Sequence, residues 1–346
     1  MSTNLTKPKP AFLEYAFTMG ITVMEGRGFY YPVDTAVGQE GRIYVISRSN
    51  NDTTRGIRVT MCTLDGEYFG NFGFFGEENG QFVWPTGVAV DSQGRVYVTD
   101  EQLCRVTAYD QSGNYLSHWG AQGTGDGELD TPSGIAFDSQ DNLYLSDTYN
   151  NRIQKFTTDG RFLACFGAEG DGKLSLPWGL TADSQENVFV ADWGNDRIKK
   201  FSSDGIFLTQ YGASGSGDGE FLRPSSVAVD NDGYIYVADW GNERVQVLDP
   251  QGEFVMKLRG QATISKWAQN YLSANQEEAE ARARADLEKD IEYFVDDPHE
   301  ESSHIEKFFW SPVSVKLDSA GRLLVTETGR HRIQVYQRSD KQGAAS

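Results

Sequence analysis

Apolar residues fall in short runs that recur along the chain, separated by polar and glycine-rich punctuation. One unit shows the pattern: Pro132-Ser133-Gly134-Ile135-Ala136-Phe137-Asp138, then Leu143-Tyr144-Leu145-Ser146-Asp147, then Asn150, Arg152-Ile153 and Phe156, then Gly160 and Phe162 to Gly167. Runs of this length, broken by Asp-Ser-Gln-Asp and Thr-Asp-Gly, predict four strands, a to d, joined by tight turns. Pro32, Pro85, Pro132, Pro177, Pro224 and Pro312 each open such a unit, at spacings of 53, 47, 45, 47 and 88. Four antiparallel strands repeating at this period are a propeller blade.

The irregular spacings have local causes. The b–c hairpin of the first unit, Ser47 to Arg58, is longer than Asp100 to Arg105 of the second. Between the fifth and sixth units, Gly260 is followed by a segment without the strand signature, an insertion over about residues 261–307. The sixth unit supplies strands a to c and stops. Its fourth strand is expected at the other end of the chain, where Tyr15-Ala16-Phe17-Thr18-Met19-Gly20 aligns with Phe162-Leu163-Ala164-Cys165-Phe166-Gly167. An apolar residue stands three before every opening proline: Phe29, Phe82, Leu129, Leu174, Phe221 and Phe309. The expectation is an all-β, six-bladed β-propeller closed by the N-terminal strand, one domain over residues 1–346, with an α-helical insertion between blades 5 and 6. Closure removes the open sheet edges an unclosed array would expose.

Composition agrees with a folded, turn-rich protein: 38% hydrophobic residues, 12% aromatic and 37 glycines in 346. No apolar run reaches membrane-spanning length, and the first residues lack a secretory pattern, so a cytoplasmic protein without membrane contact is expected. A net charge of −19 opposes general nucleic-acid binding. Cys62, Cys104 and Cys165 match no zinc or redox spacing and read as small buried apolar groups.

The string Asp-x-x-Asn-x-Arg-Ile/Val after a Tyr-Val-type strand occurs as Asp147/Asn150/Arg152, Asp192/Asn195/Arg197 and Asp239/Asn242/Arg244. It resembles the NHL repeat, in copies that cover nearly the whole chain outside the insertion. The first copy has Ser47 for Asp, the second Leu103 for Asn, and the sixth Glu327 and Arg330 for Asp and Asn. The resemblance implies a six-bladed propeller and leaves function to the site. Recurrence of the Asp and Arg in several blades points to an internal ion pair holding each b–c hairpin.

Chemistry is therefore sought where blades differ. The b–c hairpins and d-to-a connections share one rim, the top. That rim carries Trp84, Tyr149, Trp178, Trp193, Trp240, Arg48, Arg223, Arg330 and His331, candidates for a ligand-binding surface because rigid rings give contact area at low entropy cost. Trp178 has no aromatic counterpart in the other units. Asp34, Glu101 and Glu327 are the unusual acids on this side and the candidates for catalysis or for a divalent metal at the channel mouth. No cofactor motif is present. Peptide-amidating lyases, which resemble NHL proteins, hold zinc with channel histidines; here the residues two after the prolines are Asp34, Gly87, Gly134, Gly179, Ser226 and Ser314.

In the insertion, Ile264, Trp267, Ala268, Tyr271 and Leu272 predict an amphipathic helix, and Ala279, Ala283, Leu287, Ile291 and Phe294 a second. Pairs Glu278–Arg282 and Glu280–Arg284 are expected on its exposed side. The segment reads as a helical lid on the top face or as a docking arm. These features suggest a binding platform for a small molecule or protein. The alternative is a lid-gated enzyme, a lyase or a lactone/ester hydrolase, and the sequence does not decide whether the protein is catalytic.

Overall fold

The computed structural model describes residues 12–49, 53–288 and 297–341. The first five proline-opened units each form a four-stranded antiparallel sheet with their strands in chain order. Blades 1 to 5 span 32–72, 85–119, 132–166, 177–211 and 224–258. Blade 6 joins Pro312–Leu317, Leu323–Glu327 and Arg332–Arg338 to the N-terminal strand Leu13–Met19, which runs antiparallel to strand c from Leu13↔Arg338 to Met19↔Ile333. The ring is closed as expected.

Burial explains the apolar pattern. Strand b of each blade is packed on both faces and reads as a continuous apolar run, as in Val188–Asp192 and Ile235–Asp239. Outer strands such as Phe207–Tyr211 have one face in solvent and alternate. Six apolar clusters lie between successive blades; that between blades 1 and 2 packs Tyr44, Ile46 and Val59 against Phe82, Val96 and Val98. All six apolar residues that precede the prolines by three are buried. The a–b turns of blades 2 to 6 are closed by aspartates: Asp138 Oδ1 accepts from the N–H groups of Gln140 and Asn142 at 3.0 and 2.8 Å.

Two features of strand a shape the centre. Every blade has a register shift directly after its proline, a bulge that turns the next side chain toward the top of the channel. Deeper, a Cβ on Gly87, Gly134 or Gly179 would stand 2.3–2.6 Å from a carbonyl oxygen of the next strand a, so these glycines let the inner strands close together.

The insertion forms α1 (Lys266–Ala274), α2 (Gln276–Arg284) and α3 (Pro298–His304). Ser265 caps α1, which leaves Ile264 outside the helix and exposed. Trp267 carries the buried contact of α1. Its ring packs with Met19, Phe29 and Cys62, and its Nε1 donates to Gly66 O at 2.9 Å. Helix α1 thus lies along the outer wall where blade 6 meets blade 1, reaching a c–d turn, and no described residue of the insertion lines the channel mouth. Helix α2 ends before Leu287, and Ile291 and Phe294 lie outside the described residues. Glu280–Arg284 pairs at 3.0 Å, whereas Arg282 turns to Glu306. Helix α3, which the periodicity missed, starts on the Asp297 cap with Pro298 in its first turn and sits on the top rim of blades 5 and 6. Cys62 and Cys104 are buried; Cys165, on an outer strand, is exposed, contrary to expectation.

Candidate functional site at the top mouth of the channel

Two rings of strand-end residues meet at the top. The residues directly after the strand-a prolines are Val33, Thr86, Ser133, Trp178, Ser225 and Val313, aimed by the bulges. Those directly after strand b are Arg48, Glu101, Thr148, Trp193, Trp240 and Thr328. Ten residues, nine of them from these two rings, enclose a mouth cavity of about 290 Å³, with Trp178, Trp193 and Trp240 on the side of blades 4 and 5 and Arg48 across from them. The Trp178 and Trp193 ring centroids are 6.4 Å apart at a 34° tilt. Below, at the level of Asp34 and Gly134, the channel narrows to about 20 Å³, room for about one water molecule. The mouth is a blind cup.

Its polar walls are already engaged. Arg48 donates to Pro85 O at 2.7 Å, Thr86 Oγ1 at 2.8 Å and Glu101 Oε1 at 2.9 Å, with its guanidinium over Trp84. Ser225 Oγ and Thr328 Oγ1 donate to Val313 O and Pro32 O, tying neighbouring inner strands. What stays available is chiefly indole surface.

The three candidate acids are not brought together. Glu101 is held by Arg48. Asp34 accepts from Ser314 Oγ at 2.6 Å and Val88 N at 2.9 Å, with Lys316 at 3.4 Å. Glu327 lies inside blade 6, bound to Arg332, Gln334 and the Trp310 N–H. It is the counterpart of Asp147, whose Oδ2 accepts from Arg152, Asn150 and Gln154. Among the described residues no three His, Cys, Asp or Glu side chains are grouped to hold a metal ion.

The repeated ion pair forms at 2.7–2.8 Å in blades 3, 5 and 6. In blade 4 Lys199 takes the place of Gln154 and approaches Asp192 at 3.4 Å, while Arg197 donates to Asn195 O. Burial raises the Asp192 and Asp239 carboxyls, opposed by these donors.

His331, Arg330, Arg223 and Trp84 do not line the cup. The residue ending each b–c hairpin of blades 2 to 6 (Cys104, Asn151, Asp196, Glu243, His331) and the residue before the next proline (Thr131, Leu176, Arg223, Ser311, Tyr31) both have φ of 47–56°. In blades 3 to 6 the hairpin side chain in that conformation accepts the next blade's N–H. Leu176 N donates to Asn151 Oδ1 at 2.8 Å, Arg223 N to Asp196 Oδ1 at 2.7 Å, Ser311 N to Glu243, and Tyr31 N to His331 Nδ1 at 2.7 Å. These latches join blade to blade around the top. The side chains vary while their acceptor role does not, which hides the motif from residue-type spacing. Burial pulls the His331 imidazole down to about 4, so it accepts as a neutral ring. The Arg223 guanidinium covers Trp193, and Arg330 stacks on Trp310 and donates to Ser302 O and Ser303 O of α3. Tyr149 is exposed on its hairpin and does not line the cup. Arg330 and His331 instead border a second cavity of about 760 Å³ between α1 and the rim of blade 6.

No described helix is long and apolar enough to cross a membrane. No curated protein sequence matches the chain. Residues 84–216 match the SMP-30/gluconolactonase/LRE-like region, 180–269 a 6-bladed beta-propeller family and 309–336 the NHL repeat. Among solved structures, a streptogramin B lyase is 13% identical over 96% of this chain and 100% of its own, with a TM-score of 0.56. A catalytically inactive virginiamycin B lyase from Staphylococcus aureus with quinupristin is 13% identical over 94% and 99%, at 0.57. A Bacteroides thetaiotaomicron protein of unknown function is 18% identical over 94% and 75%, at 0.59. At such identities the likeness is one of fold. The NHL repeat matched in blade 6, the same hairpin core recurring around the ring and the closed six-blade topology make this chain an NHL-repeat six-bladed β-propeller protein.

Proposed function

We propose that the protein is a binding platform whose top cup receives a planar, apolar group of a small molecule or of a partner protein. The observation that carries this reading is the convergence of Trp178, Trp193 and Trp240 on one blind cavity whose polar neighbours are already hydrogen-bonded. An apolar ligand there displaces water from indole faces and leaves few polar groups unpaired, the arrangement of an interface hot spot. The expected partner is neutral or cationic, in keeping with a net charge of −19.

Binding of Nile red, an uncharged planar probe, followed by its fluorescence, tests the reading. Trp240→Ala should weaken binding at least about 10-fold while Tyr271→Ser, in the outer cavity, leaves it unchanged. Equal binding by wild type and Trp240→Ala would remove the cup as the site.

The match to the gluconolactonase-like region favours a second reading, a lyase or lactone/ester hydrolase with a divalent ion at the mouth. It requires Asp34, Glu101 or Glu327 to leave present partners, and Arg48 or Lys316 to yield a carboxylate. Metal analysis of the purified protein distinguishes the two: a stoichiometric divalent ion supports the enzyme.

A further inference from the structure

Six cross-strand pairs hold the b–c hairpins at equivalent register: Ser47↔Arg58, Asp100↔Arg105, Asp147↔Arg152, Asp192↔Arg197, Asp239↔Arg244 and Glu327↔Arg332. Five place a carboxylate opposite the arginine. Blade 1 places a serine there, yet keeps the arginine, and buries it more deeply than its counterparts, to 1% exposure.

Arg58 forks onto backbone carbonyls. Its terminal nitrogens donate to Met24 O, Val23 O at 2.9 Å, and Gly28 O and Gly56 O at 3.2 Å. Its Nε is buried and has no acceptor. In blades 3, 5 and 6 that same atom donates to the carboxylate. Ser47 Oγ takes over only the other half of the carboxylate's role, accepting from Tyr30 N at 3.1 Å as Asp147 accepts from Asp130 N. Blade 2 also leaves Arg105 Nε without an acceptor, but there Asp100 supplies the negative charge at the paired position.

Among the described residues, the other groups around Arg58 do not neutralise it. Glu25 acts on it at a distance, and its carboxylate is in solvent beside Arg55 at 3.6 Å. Tyr68 and Cys62 are uncharged at neutral pH, both pushed up by burial. A guanidinium this deep, with no counter-charge among the described residues, is costly, since carbonyl dipoles solvate it but leave its charge in place.

We propose that blade 1 binds a small monovalent anion of chloride size at Arg58 Nε, in the place that a carboxylate oxygen occupies in the other blades. The ion ties the two ends of the long 47–58 hairpin, and through Ser47 it steadies Arg48, the next residue, which forms the cationic wall of the cup.

The test measures melting of the full chain at constant ionic strength as sodium gluconate is replaced by sodium chloride. The wild type should show a saturable rise of about 2 °C, the size expected when an ion binds the folded state at several times its dissociation constant. Ser47→Asp, which supplies the missing carboxylate, should melt higher than wild type in gluconate and show no saturable chloride response. Crystals of the wild type in sodium bromide should give an anomalous peak beside Arg58 Nε, a reading independent of whether the variant folds. Equal wild-type melting in both salts, a chloride response retained by Ser47→Asp, or bromide-soaked crystals without a peak at Arg58 would each overturn the proposal.

Discussion

His331 accepts the Tyr31 N–H through Nδ1 and stacks on Tyr30, so its ring serves the fold only while that nitrogen is unprotonated. Its folded value near 4 lies below the ordinary histidine value of 6.5. A depressed folded value means that the unfolded chain takes up the proton first. The stabilisation is therefore complete above about pH 6.5 and is lost as pH falls through the folded value near 4. Asparagine fills the equivalent position as Asn151, tolerates the positive φ, and does not titrate. His331→Asn should thus keep the latch, and its melting temperature should fall less steeply than that of the wild type between pH 6.5 and 4. Parallel curves would show that the imidazole contributes nothing to acid sensitivity. Residue identity alone marked His331 as a top-face candidate; its acceptor role depends on a neighbour 300 positions away.

Among the elements, α1 departs most from its sequence reading. An amphipathic stripe predicts that something is covered but not what, and the cover turns out to be the seam between blades 6 and 1. Trp267 fills it, with Phe29 at a ring separation of 5.6 Å and Gly66 O as the indole's partner. Trp267→Ala should therefore cost about 3–5 kcal/mol in chemical denaturation, the range for a buried aromatic truncated in a packed core. Ligand binding in the cup should be spared, because α1 does not line it. A loss under about 1 kcal/mol would mean that the insertion rests on the propeller without belonging to its core. Helix α3 touches the functional side more closely. His299 lies between Glu243 and Trp310, and since an indole N–H can only donate, His299 Nε2 accepts and Nδ1 carries the proton to Glu243. The seven-residue helix is too short to show periodicity.

On the scale of the molecule, closure by the N-terminal strand sets stability. Leu13 and Met19 enter the clusters on either side of blade 6, and the strand pairs with Arg332–Arg338 along its length. Deleting residues 1–20 should leave strand c of blade 6 as an open edge and expose both clusters, giving aggregation or a large loss of thermal stability. A truncated monomer that melts like the full chain would contradict this. The blade count, the closure, the position of the insertion and the hairpin ion pairs were all legible in the sequence, because each is a local pattern repeated at a fixed period and repetition separates signal from chance. Even the missing carboxylate at Ser47 showed as a break in that period. Only the tertiary structure decided which strand ends converge on the cup, that Glu327 belongs to a blade interior, that the latches run from blade to blade, and that α1 lies on the outer wall. Those outcomes depend on distances between residues far apart in the chain, and such distances exist only once the ring has closed.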